Sequence, residues 1–166
     1  MLIIEDGNGV PSAESYATAA ELVIYAGKFG VAIPSDEAAQ EAVLRRAALV
    51  MDGMTWKGRK STGDQALSWP RREIRLDGEN KPERYLPARI QYGQMALAAE
   101  IHADDIDPID KRKGAVTKEK VDGAVEREYA TISNTSKRLL PAAPDRPSAT
   151  QFADYLQRRG LFAVRA

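Results

Sequence analysis

Apolar residues recur with helical spacing in three stretches of the chain. The first opens with the spacing of a capping box at residues 18–21 and ends before Gly30. The third opens at Pro87, because proline is favoured in the first turn of a helix, and should end near Ala103 at an acidic run. The second covers roughly residues 36–54, and its apolar positions are Ala39, Val43, Ala47, Val50 and Met54. These patterns predict three helices with buried stripes.

A stretch of alternating character predicts a β-hairpin over residues 115–130. A two-residue loop would place Glu119 opposite Glu126, and like charges in directly opposite positions destabilise a pair of strands. A three-residue loop at residues 121–123 places Lys118 opposite Glu126 instead. The charges therefore predict the three-residue loop.

The segment after the hairpin is punctuated by prolines, which favour an extended chain. Ser148 or Thr150 would cap a final helix there. The predicted fold is therefore mainly α: a small helical bundle of three to four helices with one β-hairpin and an extended C-terminal arm. The length fits a single domain, 1–166, in which residues 1–130 form the helical core plus hairpin and residues 131–166 the extended arm with its terminal helix.

The charge balance limits the kinds of partner that the chain can bind. It has 24 basic and 24 acidic residues, so its formal net charge is zero. A free-standing nucleic-acid binder usually has a basic excess, because phosphate neutralisation supplies much of its affinity. Contact with DNA would therefore need a local basic patch. The lack of cysteine excludes disulfides and thiolate zinc sites, no apolar run predicts a membrane span, and the N-terminus lacks the apolar core of a signal peptide.

The residue types that carry catalysis or bind cofactors form no recognisable motif. His102 is the only histidine, so the chain lacks the further residues that a zinc site or a histidine-based catalytic triad normally needs. Residues 58–63, GRKSTG, lack the order of a phosphate loop. The acidic run at residues 104–110 lacks the glycine and glutamate of a calcium loop. We therefore predict that the chain is not an enzyme and binds no metal and no cofactor.

Both tryptophans lie in residues 55–71, TWKGRKSTGDQALSWPR, among basic residues. Two interpretations of Trp56 and Trp69 remain open. In the first, both rings fill the gap between the second and third helices while the cations stay solvated. In the second, they form a surface that stacks on nucleic-acid bases or makes an intersubunit contact rich in aromatic residues and arginine.

Five short motifs carry a resemblance to known proteins. They are Ser15-Tyr16, Trp56-Lys57-Gly58-Arg59, Gln65-Ala66-Leu67-Ser68-Trp69-Pro70-Arg71, Leu86-Pro87 and Lys118-Glu119-Lys120-Val121. Together they resemble small tailed-phage proteins that are often named DnaT-like single-stranded DNA-binding proteins. The hairpin is also similar to one in the head–tail connector (adaptor) proteins of long-tailed phages. The resemblance covers most of residues 1–130, and the chain departs from it after Tyr129.

The first hypothesis that the resemblance implies is a virion structural protein. Such adaptors form a ring, commonly of twelve copies, that connects the portal to the tail in the neck of a tailed phage. The implied partners are identical subunits, the portal protein, the next neck or tail-terminator protein and the packaged DNA in the channel, with no membrane. The implied location is the virion, after synthesis in the host cytoplasm. The subunit or portal interface would comprise Phe152, Tyr155, Leu156, Leu161, Phe162, Val121 and Val125.

The second hypothesis is a single-stranded DNA-binding replication protein of the DnaT-like kind. In this hypothesis Trp56 and Trp69 stack on bases. The cations placed on phosphates are Lys57, Arg59, Lys60, Arg71 and Arg72. In the connector hypothesis the residues facing the DNA channel are instead Lys118, Lys120 and Arg127. A structural role is predicted for the motif formed by Trp56, Trp69, Pro70 and Arg71.

Overall fold

The computed structural model describes residues 1–106 and 146–157 in full, and the backbone of residues 116–122 and 124–129. The helices of this described part are α1 (Ala19–Phe29), α2 (Glu37–Asp52), α3 (Ala88–Ile106) and α4 (Pro147–Phe152). The strands are β1 (Arg59–Lys60), β2 (Arg71–Arg72), β3 (Arg75–Leu76), β4 (Glu79–Asn80), β5 (Val116–Asp122) and β6 (Ala124–Tyr129). Helix α3 contacts the other three helices, and the apolar core is built around it.

Helix α1 begins and ends where its sequence predicts. The Thr18 side chain accepts a hydrogen bond from the backbone N–H of Glu21, and the Glu21 carboxylate accepts one from the backbone N–H of Thr18 at 2.7 Å. Gly30 ends the helix in the left-handed conformation, with a φ of 65°. The predicted capping box and the predicted stop at glycine are both confirmed.

Helix α2 lies within its predicted bounds, and its buried stripe agrees with the predicted one at Val43 and Ala47 but not throughout. Asp36 caps it by accepting a hydrogen bond from the N–H of Ala39 at 3.0 Å. Val50, which the apolar spacing places in the core, is 46% exposed. The residues that α2 buries are Gln40, Val43, Leu44, Ala47, Ala48 and Met51.

Helix α3 continues past its predicted end near Ala103 to Ile106. The acidic residues that were expected to end α3 form its last turn instead, because their carboxylates make ion pairs with arginines. Asp104 pairs with Arg146, and Asp105 pairs with Arg46 of α2.

The prediction of a mainly α bundle is wrong, because residues 59–80 form two further antiparallel ribbons. β1 pairs with β2 and β3 with β4, so with the β5–β6 hairpin the described residues form three two-stranded sheets and the fold is mixed α/β. Asp77 and Gly78 join β3 to β4 with φ values of 53° and 83°, which suit a tight hairpin turn. A strand of two residues is too short to show the alternation of apolar and polar residues, so the sequence pattern could not predict these strands.

The predicted β5–β6 hairpin is present, but its register differs from the expected one. Lys118 pairs with Glu128, and Lys120 pairs with Glu126. The predicted pairing of Lys118 with Glu126 through a three-residue loop is therefore wrong. Both observed pairs still combine residues of opposite charge, because shifting the register by two residues preserves the complementarity that favours antiparallel pairing.

The predicted C-terminal arm is folded back where the structure describes it. The N–H and hydroxyl of Ser148 donate to the Glu100 carboxylate at 2.9 and 2.7 Å, which ties α4 to α3. Ser148 therefore docks α4, and the N-cap residue is Arg146, without a side-chain capping bond. The predicted cap at Ser148 or Thr150 is wrong, and residues 131–145 and 158–166 of the predicted arm lie outside the described residues.

Candidate nucleic-acid interface

Basic residues are concentrated in one segment of the neutral chain. From Lys57 to Arg89 there are nine basic and five acidic residues, so this segment has a net charge of +4. The rest of the chain must then carry an equal negative charge. A surface built from this segment can attract phosphate groups even though the whole molecule has no basic excess.

Both tryptophan rings lie in the core. Trp56 and Trp69 are 4% and 0% exposed, and their rings meet edge to face with centroids 5.7 Å apart. Phe152 lies 5.2 Å from Trp56, and Tyr155 lies 5.6 Å from Trp69. The interpretation in which the rings fill the interior is therefore correct. Stacking of these indoles on bases is excluded, because neither ring presents a face to solvent.

The Ser15-Tyr16 motif holds the loop that carries Trp69. The Tyr16 hydroxyl accepts a hydrogen bond from the backbone N–H of Trp69 at 3.0 Å, and burial raises the pKa of Tyr16. Gln94 of α3 accepts from the Tyr16 N–H at 2.8 Å and donates to the Ser15 hydroxyl at 2.9 Å. The motif thus links the tryptophan loop to the central helix and has a structural role.

Arg71 also stabilises the loop that carries Trp69, through hydrogen bonds to backbone carbonyls. Its guanidinium donates to the carbonyl oxygens of Lys57, Gly58 and Ser68 at 2.7, 2.8 and 3.0 Å. Burial lowers the pKa of Arg71. Because these carbonyls occupy its donors, Arg71 belongs to the structural motif and is not placed to contact a phosphate.

The β1–β2 ribbon places cations opposite one another. Arg59 faces Arg72 in the register. Arg59 also donates to Glu73 at 2.6 and 2.8 Å, which lowers the pKa of Glu73. The Arg72 side chain is exposed and makes no hydrogen bond to another described residue. Gly58, the residue before β1, has a φ of 67°, and a Cβ there would collide with the Arg72 carbonyl oxygen. Lys60 donates to two loop carbonyls at 3.3 and 3.4 Å.

A cleft of about 310 Å³ is lined by the β3–β4 hairpin, the start of α3 and the C-terminal segment. We call it the basic cleft. Its cations are Lys57, Arg75, Lys81 and Arg89, and its carboxylates are Asp77 and Asp154. The cations outnumber the carboxylates by two, so the cleft has a net positive charge.

Two tyrosines, Tyr85 and Tyr155, and Leu76 complete the lining of the basic cleft. Burial, together with a hydrogen bond to the Tyr85 hydroxyl, raises the pKa of Tyr155 to about 12. Tyr85 is half-buried, and its ring centroid lies 6.4 Å from that of Trp69. A pKa this high keeps the Tyr155 hydroxyl neutral near pH 7, so the charge of the cleft is set by its cations and carboxylates.

The predicted interface residues of the C-terminal arm pack within the chain itself. Phe152 and Tyr155 are buried in the core, and Leu156 is half-buried against it. The prediction that they face a neighbouring subunit is therefore wrong for Phe152 and Tyr155, whose side chains are buried within the chain. For Leu156, which keeps part of its surface exposed, it stays a prediction. Leu161 and Phe162 lie outside the described residues.

For the predicted functional residues of the hairpin, only the backbone is described. Val121 and Val125 are directly opposite each other across β5 and β6. The cations predicted to face DNA in this hairpin are Lys118, Lys120 and Arg127. Their role and that of the two valines stay predictions.

Sequence reasoning missed three of the four cleft cations. Lys57 was among the predicted DNA-facing residues, but Arg75, Lys81 and Arg89 were not. They are separated along the chain and are brought together only by the β3–β4 hairpin and the start of α3. The one signal that points to them in the sequence is the basic excess between Lys57 and Arg89.

Within residues 1–106 and 146–157, no group of three or more histidine, aspartate or glutamate side chains is arranged to hold a metal ion. His102, the only histidine, is half-buried near the end of α3. None of the described helices combines the length and the apolar character needed to span a bilayer.

A protein-family model described as "Putative DnaT-like ssDNA binding protein" matches residues 1–165. No curated protein and no solved structure matches the chain. The family match continues well past Tyr129, so the predicted departure at that residue is wrong. The match points to DnaT-like binding of single-stranded DNA and not to a virion head–tail connector. The interpretation as a portal-binding ring protein of a phage neck is corrected accordingly.

Proposed function

The chain belongs to the DnaT-like family, and we propose that it binds single-stranded DNA through the basic cleft, without catalysing a reaction. The observation that carries this proposal is the gathering of Lys57, Arg75, Lys81 and Arg89 in one concave surface of a chain whose net charge is zero. A concave surface of one sign concentrates the field and attracts oppositely charged ligands.

The cleft cations have donors that a phosphate can take up. Arg75 donates from its Nε to the carbonyl oxygen of Gly78 at 3.1 Å, which leaves its two terminal nitrogens for a ligand. Lys81 pairs with Glu79 at 3.1 Å, but the Glu79 side chain is largely exposed. Exposed ion pairs contribute little to stability, so a phosphate can replace them at small cost.

The mode of binding follows from the buried tryptophans. Because Trp56 and Trp69 are core residues, base stacking on them would require the core to open. We propose that the strand is held mainly by its phosphates, and that Tyr85, which is half-buried in the lining, is the aromatic side chain available to a base. The Arg59–Arg72 pair of the β1–β2 ribbon provides further cations for a strand that extends beyond the cleft.

The proposal is tested by fluorescence anisotropy with a labelled single strand of about 16 nucleotides, the upper end of the usual site size for one binding fold. The test variant is Lys81→Gln with Arg89→Gln. Its matched control is Lys28→Gln with Arg46→Gln, which removes one lysine and one arginine from exposed positions outside the cleft.

The salt dependence supplies the decisive measurement. Each phosphate neutralised on a single strand contributes about −0.7 to the slope of log K against log salt, so the four cleft cations together contribute about −2.8. The double cleft variant should make the slope less negative by about 1.4, and the control should keep the wild-type value. Tryptophan emission should change little on binding. The proposal fails if the wild type does not bind the strand, or if the cleft variant and its control bind alike.

A further inference from the structure

One acidic residue engages two of the four cations of the basic cleft. Arg89 donates to the side-chain carboxylate of Asp154 at 2.7 Å. Lys57 donates from its Nζ to the backbone carbonyl of the same residue, also at 2.7 Å. Asp154 thus accepts hydrogen bonds from two cleft cations through its carboxylate and its backbone carbonyl. In a bound strand, phosphate oxygens would accept hydrogen bonds from the same cations.

Asp154 is held on the cleft by its backbone and not only by its side chain. The N–H of Lys57 donates to the carbonyl of Tyr155 at 2.9 Å, and the N–H of Gln157 donates to the carbonyl of Thr55 at 2.9 Å. These bonds fix the segment after α4 against the chain that leads into β1. These bonds hold the backbone of residue 154 at the cleft, so a displaced Asp154 carboxylate remains near it.

We infer that Asp154 is a built-in competitor for Arg89 that limits the affinity of the basic cleft for single-stranded DNA. This inference rests on the proposed function. The Arg89 and Asp154 side chains are 51% and 63% exposed, so water screens their pair and a phosphate can displace the carboxylate. Once displaced, the carboxylate remains near the phosphate and repels it. Both steps reduce the affinity.

A purely structural role of the pair leads to a different expectation. If Asp154 served only to anchor the C-terminal segment, its replacement would loosen one wall of the cleft and weaken the binding of DNA. If Asp154 competes with phosphate, its replacement strengthens binding. The two roles therefore predict changes of opposite sign in the same measurement.

The test variant is Asp154→Asn, which keeps the size of the side chain and removes its charge. The matched control is Asp105→Asn, which makes the same chemical change, likewise frees an exposed arginine, Arg46, and alters the net charge equally. Asp105 lies sixteen residues from Arg89 along α3, which corresponds to about 24 Å at the rise of an α-helix. Any general effect of net charge on DNA binding appears in both variants.

We expect Asp154→Asn to bind the labelled strand about fivefold more tightly than the wild type in low salt, the upper range for releasing an exposed ion pair. The slope of log K against log salt should stay at the wild-type value, because Arg89 is already one of the four cleft cations that neutralise phosphates. Asp105→Asn should not reproduce the gain in affinity. In an Arg89→Gln background the gain from Asp154→Asn should disappear, because the contested cation is absent.

Each outcome of this experiment bears on a separate statement. If the wild type binds and Asp154→Asn binds equally or more weakly, the competitor role is refuted while the proposed function stands. If neither protein binds the strand, both are refuted. If Asp154→Asn still increases the affinity for the strand in the Arg89→Gln background, Asp154 does not compete for Arg89 and the inference is refuted.

Discussion

Gly93 of α3 offers a sharp test of how the C-terminal segment is held. A Cβ at this position would lie 2.6 Å from Cζ and 2.8 Å from Cδ1 of Phe152, whereas ordinary contacts of this kind begin at 3.4 Å. The Phe152 ring cannot simply retreat, because the ring of Trp56 lies 5.2 Å away and Phe152 is fully buried. Gly93→Ala should therefore push α4 away from α3.

The magnitude follows from two opposing effects. Replacing glycine by alanine inside a helix stabilises it by roughly 0.5–1 kcal/mol. Overpacking of a core costs typically about 1–3 kcal/mol in measured variants. Because the contacts with Phe152 are shorter than 3.0 Å, the packing cost should exceed the helical gain, and we expect Gly93→Ala to lower the free energy of unfolding by about 1–2.5 kcal/mol, which corresponds to a fall in Tm of about 2–10 °C for a chain of this size.

Gly27 of α1 provides the matched control. It also lies inside a helix, but apart from its chain neighbours and the backbone of its own helix no atom lies within 4 Å of the position of its Cβ. Gly27→Ala should therefore raise the free energy of unfolding by about 0.5–1 kcal/mol. Urea denaturation of both variants separates packing from helix propensity, because the helical gain is common to both. If Gly93→Ala proves as stable as Gly27→Ala, α4 is not packed on α3 as described.

A second-site change locates the strain at Phe152. Phe152→Leu creates space beside residue 93, so the double variant Gly93→Ala with Phe152→Leu should lose less stability than the sum of the two single changes. Residues in direct contact show such coupling, whereas distant residues are additive. Additive losses would mean that the added methyl group meets a different neighbour.

The sequence predicts best what is decided locally. The capping box at Thr18 and the stop at Gly30 each depend on a few adjacent residues, and both are found in the structure. The buried stripe of α2 was predicted less well because a polar residue belongs to it. Gln40 is buried and donates from its side chain to the carbonyl of Pro34 at 2.8 Å. A pattern that counts only apolar residues cannot assign such a position to the core.

The basic cleft could not be predicted because distant segments assemble it. Lys57 and Arg89 are 32 positions apart, and Asp154 follows 65 positions after Arg89. The sequence leaves the positions of Trp56 and Trp69 open for the same reason. Their rings contact Phe152 and Tyr155, which the sequence places in the terminal helix of an extended arm. Only the return of the C-terminal segment to the core decides between a buried and an exposed tryptophan pair.

Two further predictions concern the buried tyrosines. Tyr16→Phe removes the acceptor of the Trp69 backbone N–H. It should therefore lower the free energy of unfolding, measured by urea denaturation, by about 1–3 kcal/mol. An unchanged urea midpoint would show that this hydrogen bond is not formed. The pH dependence follows from burial, which raises the pKa of Tyr155 to about 12 and also raises that of Tyr16. A tyrosine in the unfolded chain ionises near pH 10, so between about pH 10 and 12 the unfolded state loses protons that the folded state retains. The contribution of these two tyrosines to the free energy of unfolding should therefore be constant below pH 10 and fall as the pH rises above it. Urea midpoints measured on both sides of pH 10 check this, and the fall should be shallower in Tyr155→Phe. An equally steep fall in that variant would assign the titration to other groups.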